Sequence, residues 1–395
     1  MIISILGIAG AKLDNETCLP LPNTQTNAYY DVTTLQKPSA IYKNSTHFLL
    51  KNYNDSFYFL GTRCAITFQK ELLKEELEGK NVTFIQIANN NLDDIFEKIF
   101  TLLNEQDEIL LDITHGFRHQ PIMAIFAATL SQFLERKKLK VLFAREEKRY
   151  ERYQYTYLDT YIETTKLSLL FSGFIRTLNF IPVKDSPLLK SHIFENFSKS
   201  LLANDLKGVI QHTEKLFKEL NRLLALKELK HLHELLYTIR DQTLHNFKDF
   251  SQKPEYLQYL TLSKITKEKN YLIVSLTYLF ESLREYVSLR FKPLLKEINI
   301  KNGYETNTAV MDTIGNFQRG NKPNPIQRNY PKLYHKNKSQ FQRINAIYKE
   351  IRTLRNDLAH INKTKDFADI KQELSKMILK VETIYKDTLL QKINY

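Results

Sequence analysis

Two short stretches concentrate side chains of the types that handle phosphate groups. The first, DITHGFRHQP from Asp112 to Pro121, places Thr114, His115, Gly116, Phe117 and Arg118 between an apolar run and a helical pattern. A helix N-terminus there offers free N–H groups and a partial positive charge to phosphate oxygens. Gly116 permits close backbone approach, Pro121 near the first turn needs no N–H partner, and Arg118 supplies a charge-assisted bond. A second small-residue loop, GIAGAK, follows the first apolar run with Gly7, Ala9, Gly10 and Lys12. Two such loops on one sheet edge suit a nucleotide. GIAG is not the full G-x-G-x-x-G fingerprint, so dinucleotide binding has little support, and ordinary turn roles for His115 and His119 stay open.

The second stretch, RTLRNDLAH at 352–360, sets Arg355, Asn356 and His360 on one helical segment. Histidine titrates near neutrality and serves as general acid or base, while a guanidinium stabilises charge developing on phosphorus. An arginine followed by a histidine with four to six residues between is expected about once by chance in this chain. Three occur: Arg240 to His245, Arg328 to His335, and Arg355 to His360. Context separates them. Ile344, Ile347, Ile351, Leu354, Leu358 and Ile361 recur at three- and four-residue steps through the third, predicting a buried stripe. Arg328 to His335 contains a proline and lacks helical support. Arg240 and His245 lie on another amphipathic segment and remain secondary candidates. On a regular helix Arg355 and His360 stand roughly 140° apart, so one copy cannot close them on a single phosphate.

The elements that would position these residues divide into two textures. Runs at 2–8, 56–61, 82–87, 108–114 and 140–145 are short, apolar and β-branched or aromatic, with helical patterns between the later ones. Near-continuous apolar strands separated by helices predict an α/β, Rossmann-like domain over 1–160, with a parallel sheet covered on both faces and ligands bound at the strands' carboxyl edge. From 161 to 395 long amphipathic segments predict an all-α domain, interrupted by an Asn-, Gly- and Pro-rich basic loop at about 302–340.

Charge follows the same division. Of a net +13, residues 1–160 hold 18 Lys+Arg against 20 Asp+Glu, leaving 39 against 24 for the remainder. The excess favours a polyanionic partner for the C-terminal part, with a merely solubilising lysine surface as the alternative. Cys18 and Cys64 are too few for a disulfide framework and lack metal-ligand spacing, so a reducing cytoplasm fits best and no metal site is expected. The apolar start, MIISILGIAGA, is too short to span a bilayer and has no basic segment before it; a soluble, unprocessed chain beginning with a strand is expected.

DITHGFRHQP, with its following apolar helix and the strand KVLFARE, resembles the signature of CRISPR-associated Rossmann-fold (CARF) proteins of type III systems. The resemblance implies a dimeric domain that binds cyclic oligoadenylate across its two-fold axis. Gly7, Ala9, Gly10 and Lys12, with Thr114, His115, Gly116, Phe117 and Arg118, would hold its phosphates and riboses. Family prevalence favours cyclic tetra-adenylate. Some such domains cleave their own activator, a further role for Thr114 and His115. RNDLAH in basic, all-α surroundings resembles HEPN ribonucleases, whose R-x(4 to 6)-H motifs from two subunits meet in one composite site. Together the resemblances imply a CARF–HEPN homodimer: an allosterically activated, metal-independent endoribonuclease without cofactor that cleaves single-stranded RNA in antiviral defence. Arg355, Asn356 and His360 would be its catalytic residues. Two alternatives remain, an activator-responsive transcription regulator and a catalytically inactive activator sink. Against the regulator, a winged-helix module would be shorter and carry a two-stranded wing.

Overall fold

A computed structural model describes residues 1–105, 107–133, 138–182, 186, 188–297, 328, 331–336, 338–359 and 366–386. Most of the basic loop expected at 302–340, and His360, lie outside the described residues. The chain divides into two compact units, one comprising Met1–Leu170, Val183–Pro187 and Lys227–Leu232, the other Phe171–Pro182, Leu188–Leu226 and His233–Tyr395.

In the first unit the elements run β1 (Ile2–Ile5), β2 (Ala28–Asp31), β3 (Ala40–Tyr42), α1 (Ser45–Asn52), β4 (Phe57–Gly61), α2 (Arg63–Leu72), α3 (Lys74–Leu77), β5 (Val82–Gln86), α4 (Leu92–Glu105), β6 (Glu108–Asp112), α5 (His119–Phe133), β7 (Lys138–Lys148), β8 (Arg152–Tyr157) and α6 (Asp159–Thr177), whose last turns enter the second unit. The eight strands form one sheet in the order β3-β2-β8-β7-β6-β1-β4-β5. β1, β4, β5, β6 and β7 are parallel, as their apolar runs predict. The sheet is nevertheless mixed: β7–β8 and β2–β3 pair antiparallel. An antiparallel pair needs only a short hairpin, whereas parallel neighbours need a crossover.

Alternation along the central strands assigns each side chain to a face. Ile3, Ile5, Leu60, Ile109 and Leu111 pack with α4 and α5 through Ile95, Ile99, Ala124 and Ala128. Ile2, Phe57 and Phe59 pack on the opposite face with Phe48, Phe84 and Tyr155. With both faces covered, each buried Leu, Ile or Phe contributes about 1.5–3 kcal/mol. Cys18 and Cys64 pair as a disulfide, their Cα atoms 5.1 Å apart, fastening the loop after β1 to the start of α2. Such bonds persist in oxidising compartments more than in a reducing cytoplasm, so the cysteines lend the cytoplasmic expectation no support.

In the second unit the described elements are α7 (Ser191–Leu202), α8 (Leu206–Leu224), α9 (His233–Phe247), α10 (Glu255–Glu268), α11 (Leu272–Glu297), α12 (Pro331–Lys336), α13 (Lys338–Ala359) and α14 (Phe367–Lys386), with short 3₁₀ turns. No strand occurs among its described residues. The stripe predicted from the three- and four-residue steps is observed on α13: Ile344, Ile347, Ile351, Leu354 and Leu358 are buried against α11 (Leu276, Leu279, Leu283) and α14 (Leu374, Met377, Val381). No described helix is long and apolar enough to cross a membrane.

Candidate functional site

β1 and β6 are neighbours, so the loops leaving their carboxyl ends are pressed together. A Cβ added at Gly7 would lie 2.9 Å from the Gly116 nitrogen and 2.9 Å from the His115 Cβ. Gly116, at φ +101°, is confined from the other side, where an added Cβ would meet Ile5 Cγ2 at 2.6 Å. Glycine at both positions is thus required by contact between the loops, and at Gly116 by conformation as well.

Asp112, at the end of β6, ties this edge together from inside. Its carboxylate is fully buried and accepts from Ser4 Oγ on β1 (2.8 Å), Ser45 Oγ on α1 (3.2 Å), and both the hydroxyl (2.5 Å) and the N–H (3.2 Å) of Thr114. Burial raises its carboxyl above the usual range, and the accepted bonds pull the other way. The Thr114 hydroxyl also accepts the Ala144 N–H (3.0 Å), so its proton is committed inward. His115 Nε2 accepts the backbone N–H of Ser45 (3.4 Å), which places the ring proton on Nδ1. Burial pushes this imidazole down to about 4, so at neutral pH it is uncharged.

The outward face is backbone and charged tips. The carbonyls of Gly7, Ala9 and Gly10 are all taken from within, by Gln69, by Asn44 with Gln69, and by the Thr26 N–H. The N–H groups of Ile8, Ala9, Gly10 and Ala11 have no acceptor among the described residues. Across the edge, the Phe117 N–H is capped by the buried Gln120 side chain (3.0 Å), while those of Gly116 and Arg118 have no described partner. Lys12, Phe117 and Arg118 are exposed. His119 donates to the Asn89 carbonyl (2.7 Å) and stacks with Phe117 at 6.1 Å between ring centroids. N–H groups without an acceptor among the described residues, beside carbonyls that are engaged, suit an anion with several oxygens.

His115 gives this edge a pH dependence. The unfolded chain protonates it near 6.5 and the folded chain only near 4, so between these values the unfolded state binds more protons and stability falls as pH drops. The loss is about 3 kcal/mol in all. Unfolding by denaturant at pH 7 and at pH 4 should show His115→Gln losing about that much less than wild type; parallel profiles would contradict it.

In the second unit, the Arg355 guanidinium on α13 lies 4.5 Å above the Phe280 ring, which stacks on Tyr348 at 5.1 Å. Arg355 has no acidic partner among the described residues. Asn356 and Asp357 beside it are half-buried. Arg284, nearly fully buried, approaches the same ring at 5.5 Å but is paired with Glu281 at 2.9 Å. The secondary pair differs: Arg240 is bonded through two nitrogens to Asp241 (3.0 and 3.2 Å) and packed on Tyr237, and His245 is exposed. Sequence reasoning identified both loops but missed Ser4, Ser45, Asn44, Gln69 and Gln120, polar residues without a motif that act through burial.

Residues 27–156 match a family model described as the CARF domain of the CRISPR system endoribonuclease Csx1. The match runs from just before β2 into β8 and includes the Thr114–Arg118 loop; the Gly7–Lys12 loop and the helical unit lie outside it. A search of curated proteins finds no match.

Proposed function

We propose, from the match of residues 27–156 to the CARF domain of a CRISPR system endoribonuclease, that the chain is an endoribonuclease switched on by cyclic oligoadenylate, most simply cyclic tetra-adenylate, in type III antiviral defence. The observation that supports the sensing half is the edge shared by β1 and β6, where the N–H groups of Ile8–Ala11 have no acceptor among the described residues and the carbonyls of Gly7, Ala9 and Gly10 are engaged by Gln69, Asn44 and Thr26. Gly7, Ala9, Gly10 and Lys12 with Gly116, Phe117 and Arg118 hold the activator. Thr114 and His115, committed to Asp112 and Ser45, shape the edge rather than cleave the ring.

The catalytic half rests on α13. RNA carries its own nucleophile, so the site needs proton transfer and charge stabilisation only. The 2′-oxygen attacks phosphorus as a base takes its proton; the bond to the 5′-oxygen breaks as an acid protonates that oxygen. The products are a 2′,3′-cyclic phosphate and a 5′-hydroxyl, with no metal or cofactor required. His360 from two copies supplies the acid and the base, Arg355 the charge stabilisation, and Asn356 the orientation of histidine or phosphate. An Arg355 guanidinium without an acidic partner among the described residues suits this role better than Arg240, already neutralised by Asp241. Activator bound more tightly by one arrangement of the dimer shifts the population toward the one in which the two motifs meet.

A dimer is supported by α5, whose Ile122, Phe126 and Leu130 are 47%, 58% and 43% exposed and recur every four residues, forming an apolar stripe. A second copy covers it. Phe126→Glu is expected to convert the dimer to monomer in light scattering at micromolar concentration and to abolish activation; an unchanged dimer would move the interface elsewhere. The function itself is tested by incubating labelled RNA with each of several cyclic oligoadenylates and identifying the product ends. Cyclic-phosphate ends appearing only with activator support the reading. Sequence-specific DNA retention without RNA cleavage would replace it with a transcription regulator.

A further inference from the structure

The Gly7 and Ala9 carbonyls are held by two side chains that belong to no motif. Asn44 is fully buried and caps α1, its Oδ1 accepting the His47 N–H at 2.9 Å. Its Nδ2 then has two protons to place, one on the Ala9 carbonyl (2.8 Å) and one on Gln69 Oε1 (3.0 Å). Gln69, also buried, sits on α2 and spends its two Nε2 protons on the carbonyls of Gly7 (2.7 Å) and Ala9 (3.3 Å). Three of the four amide protons reach carbonyls of the turn and the fourth links Asn44 to Gln69, while Asn44 Oδ1 is kept for the α1 cap, so both amide groups are matched.

The consequence is directional. With the Gly7 and Ala9 oxygens held by buried amides and Gly10 at φ +103°, the N–H groups of Ile8–Ala11 are left without an acceptor among the described residues, and successive amides left free in this way suit an anion. A carbonyl swung outward would place a negative dipole where a phosphate oxygen is to sit. We infer that Asn44 and Gln69 are positioning residues of the activator site: they never touch the activator, yet they set the orientation of the Gly7–Ala11 amides that bind its phosphates. The inference rests on the sensing half of the proposed function and extends it to two residues on separate helices.

Isosteric exchanges separate this role from folding. Asn44→Asp keeps an oxygen to cap α1 but replaces the donated protons by a carboxylate oxygen facing the Ala9 carbonyl and Gln69 Oε1; Gln69→Glu likewise replaces donors by a carboxylate facing two carbonyls. Gln69→Met, uncharged and of similar length, controls for the introduced charge. Using the full-length protein, binding of cyclic tetra-adenylate and cyclic hexa-adenylate is measured by calorimetry, with linear tetra-adenylate as a control, alongside thermal unfolding and RNA cleavage at saturating activator. For whichever ring the wild type binds, each variant should raise the dissociation constant at least tenfold, with cleavage at saturation kept within twofold. The double variant should be no worse than the poorer single one, because the two amides act as a unit. Variants that remain folded and bind the ring within twofold of wild type overturn the inference and leave the sensing reading standing. Equal losses in affinity and in saturated cleavage also overturn it, in favour of a general structural role. A wild type that binds neither ring overturns the sensing reading and this inference with it.

Discussion

Arg355→Ala is expected to lower activator-stimulated RNA cleavage by about a hundredfold or more, the usual cost of removing a group that stabilises transition-state charge. His360→Ala should reduce it by about 10²–10⁴-fold through loss of proton transfer. Neither should alter activator affinity, since neither belongs to the Gly7–Lys12 or Thr114–Arg118 loop. Arg240→Ala and His245→Ala should retain most of the rate, because Arg240 already spends its charge on Asp241 and His245 is exposed without a described partner. The measurement is single-turnover cleavage at saturating activator for all four variants. Full activity in His360→Ala with loss in His245→Ala would move the site to α9 and leave the proposed reaction class intact. Arg355 also packs on Phe280, so a stability comparison with Arg355→Lys separates lost chemistry from lost packing.

Gly116→Ala is the second large effect, and it falls on the other half of the protein. A methyl group there would stand 2.6 Å from Ile5 Cγ2 and 2.7 Å from Gln120 Oε1, on a backbone at φ +101° that L side chains rarely adopt. Strain and overpacking together should cost about 2–4 kcal/mol. Relief of the clash would push the Thr114–Arg118 loop away from β1 and off Gly7, so activator affinity should fall at least tenfold even where the protein remains folded. Denaturant unfolding and calorimetric binding check the two parts. A variant with wild-type stability and affinity would show that the contact between the loops is dispensable.

How much of this was legible in the sequence depends on where the information lies. The central strands could be read because burial on both faces makes them continuous apolar runs; in β1, Ile2 faces one core and Ile3 the other. The strands β2, β3 and β8 were not read. They are short or tyrosine-rich, and only the alternation of Tyr153, Tyr155 and Tyr157 marks β8 as a strand. The stripe on α13 was legible because a helix writes its buried face into three- and four-residue steps. The phosphate-type loops were legible from their glycines and their place after strands. What lies behind them was not. Ser4, Asn44, Ser45 and Gln69 are brought together by the pairing of distant segments, and single buried hydroxyls and amides leave no periodic trace. Asp112 was visible as part of a motif, but its role as a buried acceptor for β1, α1 and the Thr114 loop required the fold. Asp241, beside Arg240 in the chain, was the one available sign that the competing arginine is neutralised.

The central claim is that binding of a cyclic oligoadenylate at the sheet edge switches on RNA cleavage by α13. It is tested most directly by the initial rate of cleavage of a single-stranded RNA by the purified full-length protein, with and without cyclic tetra-adenylate, in the presence of EDTA. The account predicts negligible cleavage without activator and a rate at least a hundredfold higher with it, undiminished by the chelator. Cleavage at the same rate with and without any cyclic oligoadenylate, or no cleavage under either condition, would contradict it.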